Sequence, residues 1–307
     1  MSVINFLRNA KINKKDEFYT QLQDIEKELR YYKKYFKNKT VYCNCDDPRV
    51  SNFFHYFSYS FKKLKLKKLI TVCYKKNNLN ILWKGSSKKG IYAAHNGDTK
   101  KIIVQNLEGD GDFRSFECIS LLKKADIIVT NPPFSLFREY VSQLIKYKKK
   151  FIILGHQNAI TYKNIFNYIK NKKMWLGHSI KSGDREFQVS NSYDLASSSK
   201  RVDKDGKKYV RVPGVRWFTN IDYKERHVEL TLLKRFDKKN YIKYENYDAI
   251  NINKTKDIPF DYIGYMGVPI TFLDKYNPDQ FEIIGLGISN SGQKIGVKPY
   301  KPKHKKF

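Results

Sequence analysis

Cysteine is scarce: the 307 residues hold only Cys43, Cys45, Cys73 and Cys118, with no Cys-x-x-Cys pair. No histidine stands near them at zinc-ligand spacing, so the sequence predicts neither a disulfide framework nor a metal site. Cys43, Cys45 and Cys73 lie in apolar runs, where a free thiol behaves as a small buried hydrophobe. No apolar run approaches the roughly 20 residues of a membrane span, and there is no secretory signal pattern. A soluble cytoplasmic protein with no membrane partner is the expectation. Internal repeats are absent as well. Acidic residues are few, 30 Asp and Glu against 60 Lys and Arg, for a formal net charge of +30.

The sequence has what a folded domain needs. Hydrophobic residues make up 41% and aromatics 15%, with 23 Tyr and 20 Phe, which excludes a disordered chain. A field of this sign repels basic partners and attracts polyanions, nucleic acid foremost. A Lys- and Asn-rich codon bias would also raise the lysine count, but it tends to raise Glu with it. The two-to-one imbalance therefore favours a polyanionic partner.

Apolar periodicity alternates between strand and helix. Asp16 to Phe36 reads as a helix, with Phe18, Leu22, Ile25, Leu29 and Tyr32 at three- and four-residue intervals. Short apolar runs at Lys39–Cys45, Lys68–Tyr74, Asp126–Thr130 and Lys150–Leu154 suit buried strands. Between and after them stand amphipathic helix candidates at Ser51–Leu64, Phe116–Lys124, Leu136–Tyr147 and Thr161–Asn171. This alternation predicts an α/β fold with a doubly wound, mostly parallel sheet, whose ligands bind beyond the carboxyl ends of the strands. Met174–Gly177, Glu186–Val189 and Val215–Ile221 are strand-like, and Lys204-Asp-Gly206 is a hairpin turn, so an antiparallel extension is expected there. From about Lys224 the chain is loop-rich, basic and aromatic, ending in a basic tail from Lys301. The expected division is a catalytic domain at 1–223 and a nucleic-acid recognition region at 224–307.

The segment Asp126-Ile-Ile-Val-Thr-Asn-Pro-Pro-Phe134 carries the most chemistry. Two prolines stop a central strand and turn its last carbonyls outward. The exocyclic amine of adenine is a poor nucleophile because its lone pair is delocalised into the ring. The Asn131 side-chain oxygen and the Pro132 carbonyl can grip its two hydrogens and localise that lone pair for attack on a sulfonium methyl. Phe134 can stack on the base, and Pro133 fixes the turn. Such catalysis works by positioning and preset dipoles, without a metal. A base within a duplex reaches this pocket only if it is flipped out. The competing reading is an ordinary strand exit closed by prolines.

Several blocks stand together in order: Asp16-Glu-Phe-Tyr-Thr-Gln21, Val41–Phe54 with Cys45-Asp-Asp-Pro48, Gly109–Ser115 with Gly-Asp-Gly-Asp112, and Thr130–Tyr140. Two more follow, Tyr247–Asp257 and Tyr265–Phe272. In these blocks the chain resembles the EcoRI-type adenine-specific DNA methyltransferases over nearly its whole length. The resemblance implies a Rossmann-like fold, S-adenosyl-L-methionine as methyl donor and N6-methyladenine in double-stranded DNA as product. It further implies a monomeric modification enzyme of a restriction–modification pair, with GAATTC as the recognition site.

Carried over residue by residue, the catalytic motif falls on Asn131, Pro132, Pro133 and Phe134. The first cofactor motif falls on Asp46, Asp47 and Pro48, and the N-terminal motif puts Phe18, Tyr19 and Thr20 near the methionine end of the donor. Methyltransferases generally have a glycine-rich turn after the first strand, whereas this one reads Cys-Asp-Asp-Pro-Arg-Val-Ser. Cys73-Tyr74-Lys75 likewise replaces the acidic residue that ordinarily binds ribose. Asp112 is the candidate acceptor for the donor's adenine amine and Phe113 the cover for its ring, though a simple Gly-Asp turn would give the same sequence. Asp46 and Asp47 also suit a helix N-cap pair, and Phe18 and Tyr19 also suit core packing. Arg185, Arg201, Arg211, Arg216, Lys254 and Lys256 are candidates for phosphate or guanine contacts, alongside the Ser179–Arg185 loop. Two other functions use the same features: methylation of an RNA base or a protein amide, and catalytically silent DNA binding on the same scaffold.

Overall fold

The structure, a computed structural model, describes residues 19–74, 89–97, 102–181, 183–189 and 200–299. Phe18 and the basic tail from Lys301 lie outside the described residues. The chain divides into two compact units, one of residues 1–160 and 177–222, the other of residues 161–176 and 223–307.

Along the chain run β1 (Tyr19–Thr20), α1 (Leu22–Leu29), β2 (Thr40–Asn44), α2 (Asn52–Tyr59), α3 (Phe61–Leu64), β3 (Lys68–Cys73) and β4 (Ile91–His95). Then come β5 (Ile103–Asn106), α4 (Phe116–Lys124), β6 (Ile127–Thr130), α5 (Phe137–Lys146) and β7 (Lys150–His156). They are followed by α6 (Lys163–Lys170), β8 (Trp175–Leu176), β9 (Arg185–Val189), β10 (Lys200–Val202), β11 (Lys208–Val212) and β12 (Val215–Thr219). The last elements are β13 (Ala249–Asn251), β14 (Tyr265–Gly267) and α7 (Ser289–Gln293).

In the first unit, strands β5, β4, β3, β2, β6, β7 and β12 lie side by side in that order. The four at the centre are parallel, with Val41 opposite Leu69 on one side and Ile127 on the other, and Thr130 opposite Ile153. All residues of β2 and β6 are buried, as are those of β7 after Lys150, which is why these strands are apolar on both faces. Antiparallel strands flank the parallel centre: β4 on β3, β5 on β4, and β12 on β7. Sequence periodicity does not show strands β4 and β5. The exposed edge strand Ile103–Asn106 has no buried face to leave a pattern. Helix α5 buries Phe137, Tyr140, Val141 and Leu144, the i, i+3, i+4, i+7 stripe of an amphipathic helix.

A second, antiparallel sheet runs β1-β9-β11-β10. Its hairpin closes at Gly206 (φ 75°), where the Asp203 carboxylate accepts from the amides of Asp205 and Lys207. The helix expected from Asp16 starts only at Leu22, because Tyr19 and Thr20 pair as a strand with Gln188 and Phe187. It ends at Leu29, and Lys33–Phe36 forms a separate 3-10 turn. The expected Ser51–Leu64 helix is broken at Ser60 into α2 and α3.

The second unit has its own small core of Ile250, Ile252, Ile258, Phe272 and Tyr276. Here the two C-terminal sequence blocks come together, with β13 and β14 pairing in parallel from Ala249–Tyr265 to Asn251–Gly267. Gly267 permits this close approach, since a Cβ there would lie 2.5 Å from the Tyr244 ring.

Candidate active site

The parallel strands β2 and β6 are neighbours, so the turns leaving them emerge side by side at their carboxyl ends. The chain leaves β2 through Cys45 at φ 78°, a conformation that favours glycine. Cys45 thus takes the left-handed position in a turn that has no glycine. Asp46 then folds back, its amide donating to the Val72 carbonyl at 2.9 Å. Its side chain is buried between the two turns: Ser51 Oγ donates to Oδ1 at 2.7 Å, and Thr130 Oγ1 lies 2.5 Å from Oδ2. Burial raises the Asp46 carboxyl from its ordinary 3.8 to about 7, against the opposing effect of the Thr130 and Ser51 hydrogen bonds. Thr71 Oγ1 donates to the Asp46 carbonyl at 2.6 Å. Asp46 therefore joins β2, β3 and β6 just below the turn that begins at Asn131.

Asp47 is half-buried and is held by Arg49, whose Nε lies 2.8 Å from Oδ1. Neither aspartate caps a helix. Ser51 does so, accepting from the amides of Phe53 and Phe54 at the start of α2. Pro48 is buried in the same turn.

The acidic loop after β5 crosses the carboxyl end of β3. At Gly111 (φ 84°) a Cβ would stand 2.6 Å from the Cys73 carbonyl oxygen, and at Gly90 it would stand 2.8 Å from the Asp110 backbone. Asp110 accepts from the Asp112 amide at 2.9 Å. Arg114 grips the Asp112 carboxylate through Nε at 2.9 Å and Nη2 at 2.6 Å, which holds that carboxyl below its usual range. Phe113 is buried, edge-on to Tyr140 at 5.1 Å, with the Arg114 guanidinium 5.3 Å from its ring centroid.

Three polar side-chain atoms line the remaining edge. Thr20 Oγ1, Gln21 Nε2 and Asn44 Nδ2 are buried and have no hydrogen-bond partner among the described residues. Asn52 at the start of α2 donates to the Thr20 carbonyl at 2.7 Å, tying β1 to the turn after β2. Orphaned donors and acceptors here suit the ammonium and carboxylate of a methionine moiety. The acidic loop beyond β3 suits an adenosine.

In the turn after β6, Pro132 is buried, while Asn131, Pro133 and Phe134 are half-buried. The Phe134 ring stands edge-on to Phe187 of β9, 6.5 Å between centroids. Helix α5 begins three residues later with Phe137, seated against Gly155 of β7 and against Phe218 at 4.9 Å. A Cβ on Gly155 would lie 2.4 Å from the Phe137 ring, so glycine lets α5 set the end of the catalytic turn.

Sequence reasoning missed the residues that hold these turns in place: Ser51, Thr71, Thr130, Arg114 and Gly155. Thr130 and Thr71 left a signal, as lone hydroxyls in otherwise apolar buried strands. Of the expected cation contacts, Arg216 is buried, donating to the carbonyls of Val215 and Lys181, and so serves structure. Arg201 and Arg211 both approach Glu186, at 3.1 and 3.7 Å. Among the described residues no cluster of three or more His, Cys, Asp or Glu is placed to hold a metal, and no helix is long and apolar enough to cross a membrane.

Residues 6–306 match the family described as Adenine-specific methyltransferase EcoRI. The chain is 52% identical over 305 residues to the Type II methyltransferase M.EcoRI of Escherichia coli, covering 96% of this chain and 94% of that one. It is 40% identical to M.MgeORF184P of Mycoplasma genitalium, covering 92% of this chain and 86% of that one. It is 41% identical to M.MpnI of Mycoplasma pneumoniae, covering 92% and 85%. No solved structure matches it. With Asn-Pro-Pro-Phe at the mouth of a parallel α/β sheet and similarity of this extent, the chain belongs to the EcoRI family of adenine-specific methyltransferases.

Proposed function

We propose that this protein is a site-specific DNA adenine-N6 methyltransferase that modifies a flipped adenine in double-stranded DNA. Its product protects that DNA from a cognate restriction endonuclease, with GAATTC as the site. The observation that carries the reading is the Asn131–Phe134 turn, emerging beside the Asp46 turn and joined to it through Thr130.

S-adenosyl-L-methionine, when bound, supplies an electrophilic methyl on a sulfonium. The turn at Asp46–Pro48, with Tyr19, Thr20 and Asn44, receives its methionine end, while Asp112 and Phe113 take its adenosine. Asn131 Oδ1 and the Pro132 carbonyl accept the two N6 hydrogens of the target adenine, and Phe134 stacks on the ring. With the donor bound, this grip would leave the N6 lone pair free to take the methyl group, the carbon–sulfur electron pair staying on the departing thioether. The methylated N6 would then carry the positive charge and lose a proton to water. Catalysis by this arrangement is orientation and preset dipoles.

The fold is read as the Rossmann-like methyltransferase type, with antiparallel β12 beside β7. Residues 1–223 act as catalytic domain and 224–307 as DNA-recognition region, in a cytoplasmic monomer. The test is transfer of labelled methyl from the donor to duplex DNA, with ribosomal RNA and protein as parallel substrates and Asn131→Ala as control. Incorporation into adenine of DNA alone, lost in the variant, is expected. Incorporation into RNA or protein instead of DNA would sink the reading.

A further inference from the structure

Beside the catalytic turn, the first unit holds a cleft that the reaction does not use. Its lining includes Lys27 from α1 and Arg30 just after that helix, then Tyr31, His178, Lys181 and Arg185. Four of these six carry permanent positive charge and none is acidic. Arg185 Nε lies 3.8 Å from an Asp24 oxygen, a long separation for an ion pair, and the Glu28 carboxylate lies beneath the cleft. Lys27, Arg30 and Lys181 are exposed.

This cluster differs from ordinary surface lysines because its framework is fixed from beneath. Glu28 is fully buried and accepts from the amides of His178 at 3.0 Å and Ser179 at 2.7 Å, and from the Tyr32 hydroxyl at 2.8 Å. Gly177 makes that approach possible, since a Cβ there would meet Glu28 Oε1 at 2.2 Å. At the other end of the segment, buried Arg216 donates to the Lys181 carbonyl at 2.8 Å. The Tyr31 ring lies 4.8 Å from the Arg30 guanidinium and 4.4 Å from the His178 ring, and Arg30 Nη2 donates to the Tyr31 hydroxyl at 2.6 Å. The segment bearing the cations is therefore held before any ligand arrives, which lowers the entropy cost of binding. A planar guanidinium and ammonium groups suit phosphate oxygens.

The cleft is also in the right place. Arg185 opens β9, and Phe187, two residues on and on the same face of the strand, packs against Phe134 of the catalytic turn. Two residues of strand span roughly 7 Å. We propose that this cleft grips the DNA backbone through a phosphate beside the methylated nucleotide, an inference that rests on the DNA methyltransferase reading above. It sets the duplex in register and leaves base readout to other residues.

The test measures binding of a labelled duplex across a salt series, with methyl incorporation by the unmodified protein recorded in the same preparation. Arg30→Ala with Lys181→Ala is compared with a control pair on α3, Lys62→Ala with Lys63→Ala. The cleft pair should weaken binding roughly tenfold and lower the salt slope by about 1 for each phosphate no longer neutralised. The weakening should be equal on cognate and unrelated duplexes. Lys27→Ala alone, on an exposed helix face, should give a smaller effect of the same kind. An unchanged slope, or an equal fall in the control pair, would overturn the cleft while methyl incorporation still stands. Absence of incorporation by the unmodified protein would overturn the enzyme reading and the cleft with it.

Discussion

Thr130 and Asp46 meet across the carboxyl ends of two neighbouring parallel strands, Thr130 Oγ1 lying 2.5 Å from Asp46 Oδ2. The same hydroxyl also contacts the Asn44 carbonyl oxygen. One hydroxyl hydrogen cannot serve two acceptors at once. A protonated Asp46 resolves the conflict: its own O–H donates to Thr130 Oγ1, and Thr130 donates to Asn44. A carboxyl raised to about 7 holds that proton at pH values below neutral. The turn expected to meet the donor and the turn expected to meet adenine thus share one proton-bearing link.

Asp46→Asn should change the pH dependence of stability in a defined direction. The folded carboxyl titrates near 7 and the unfolded one near 3.8, so its contribution is intact below 3.8 and is lost as pH rises through 7. The full loss is on the order of 4 kcal/mol. Asparagine mimics the protonated acid, with an N–H for Thr130 and an oxygen for Ser51. The variant should match the unmodified protein near pH 4 and exceed it near pH 8, read from urea midpoints at the two pH values. A difference that does not vary with pH would rule out the shared proton. A carboxyl that costs stability near neutral pH is of the kind that functional sites concentrate.

Thr130→Val keeps the shape of the side chain and removes its hydroxyl. The Asn44 carbonyl and Asp46 Oδ2 then lose a buried partner, at a cost of about 1–3 kcal/mol. Because Asn131 is the next residue, a small shift should lower kcat by roughly 10–100-fold and raise the donor's dissociation constant. Thr130→Ser should restore both. Steady-state kinetics with calorimetry of donor binding make the check, and a Val variant with unchanged kcat would show that the link does not position the turn.

The parallel centre of the sheet was legible because its strands are buried on both faces and written as unbroken apolar runs. Strands β4 and β5 were not, since the exposed edge Ile103–Asn106 has no such face. The Asn131–Phe134 turn was marked by prolines that no central strand tolerates. Its supports were not, because the partners of Asp46 are 84 and 5 residues away and meet it only after folding. The first turn lacks glycine for a local reason. Cys45 adopts the positive φ that glycine would ordinarily supply.

Gly155→Ala tests how α5 fixes the catalytic turn. The added methyl would lie 2.4 and 2.7 Å from two carbons of the Phe137 ring and 2.9 Å from Phe218, all in the core. Overpacking of this kind costs about 1–3 kcal/mol, and kcat should fall with it because Phe137 follows the turn so closely. Pairing the change with Phe137→Leu should recover part of the stability, giving a coupling free energy of opposite sign in a double-mutant cycle. Strict additivity would show that the two side chains do not meet.

Phe134→Ala separates base stacking from donor binding. Phe134 is half-buried, and its ring stands nearly perpendicular to that of Phe187. Stacking of a base on an aromatic ring is worth about 1–3 kcal/mol. Truncation should therefore weaken capture of the extruded adenine by roughly 5–150-fold at equal donor affinity. A duplex carrying 2-aminopurine at the target position reports this directly, because its fluorescence rises when the base leaves the stack. The unmodified protein should give that rise on binding and the variant should lose most of it. Phe134→Trp should retain it, since a larger ring still offers a face. If the Ala variant gives the full rise while kcat collapses, Phe134 acts after flipping, and its role moves from capture to alignment of N6 with the methyl group.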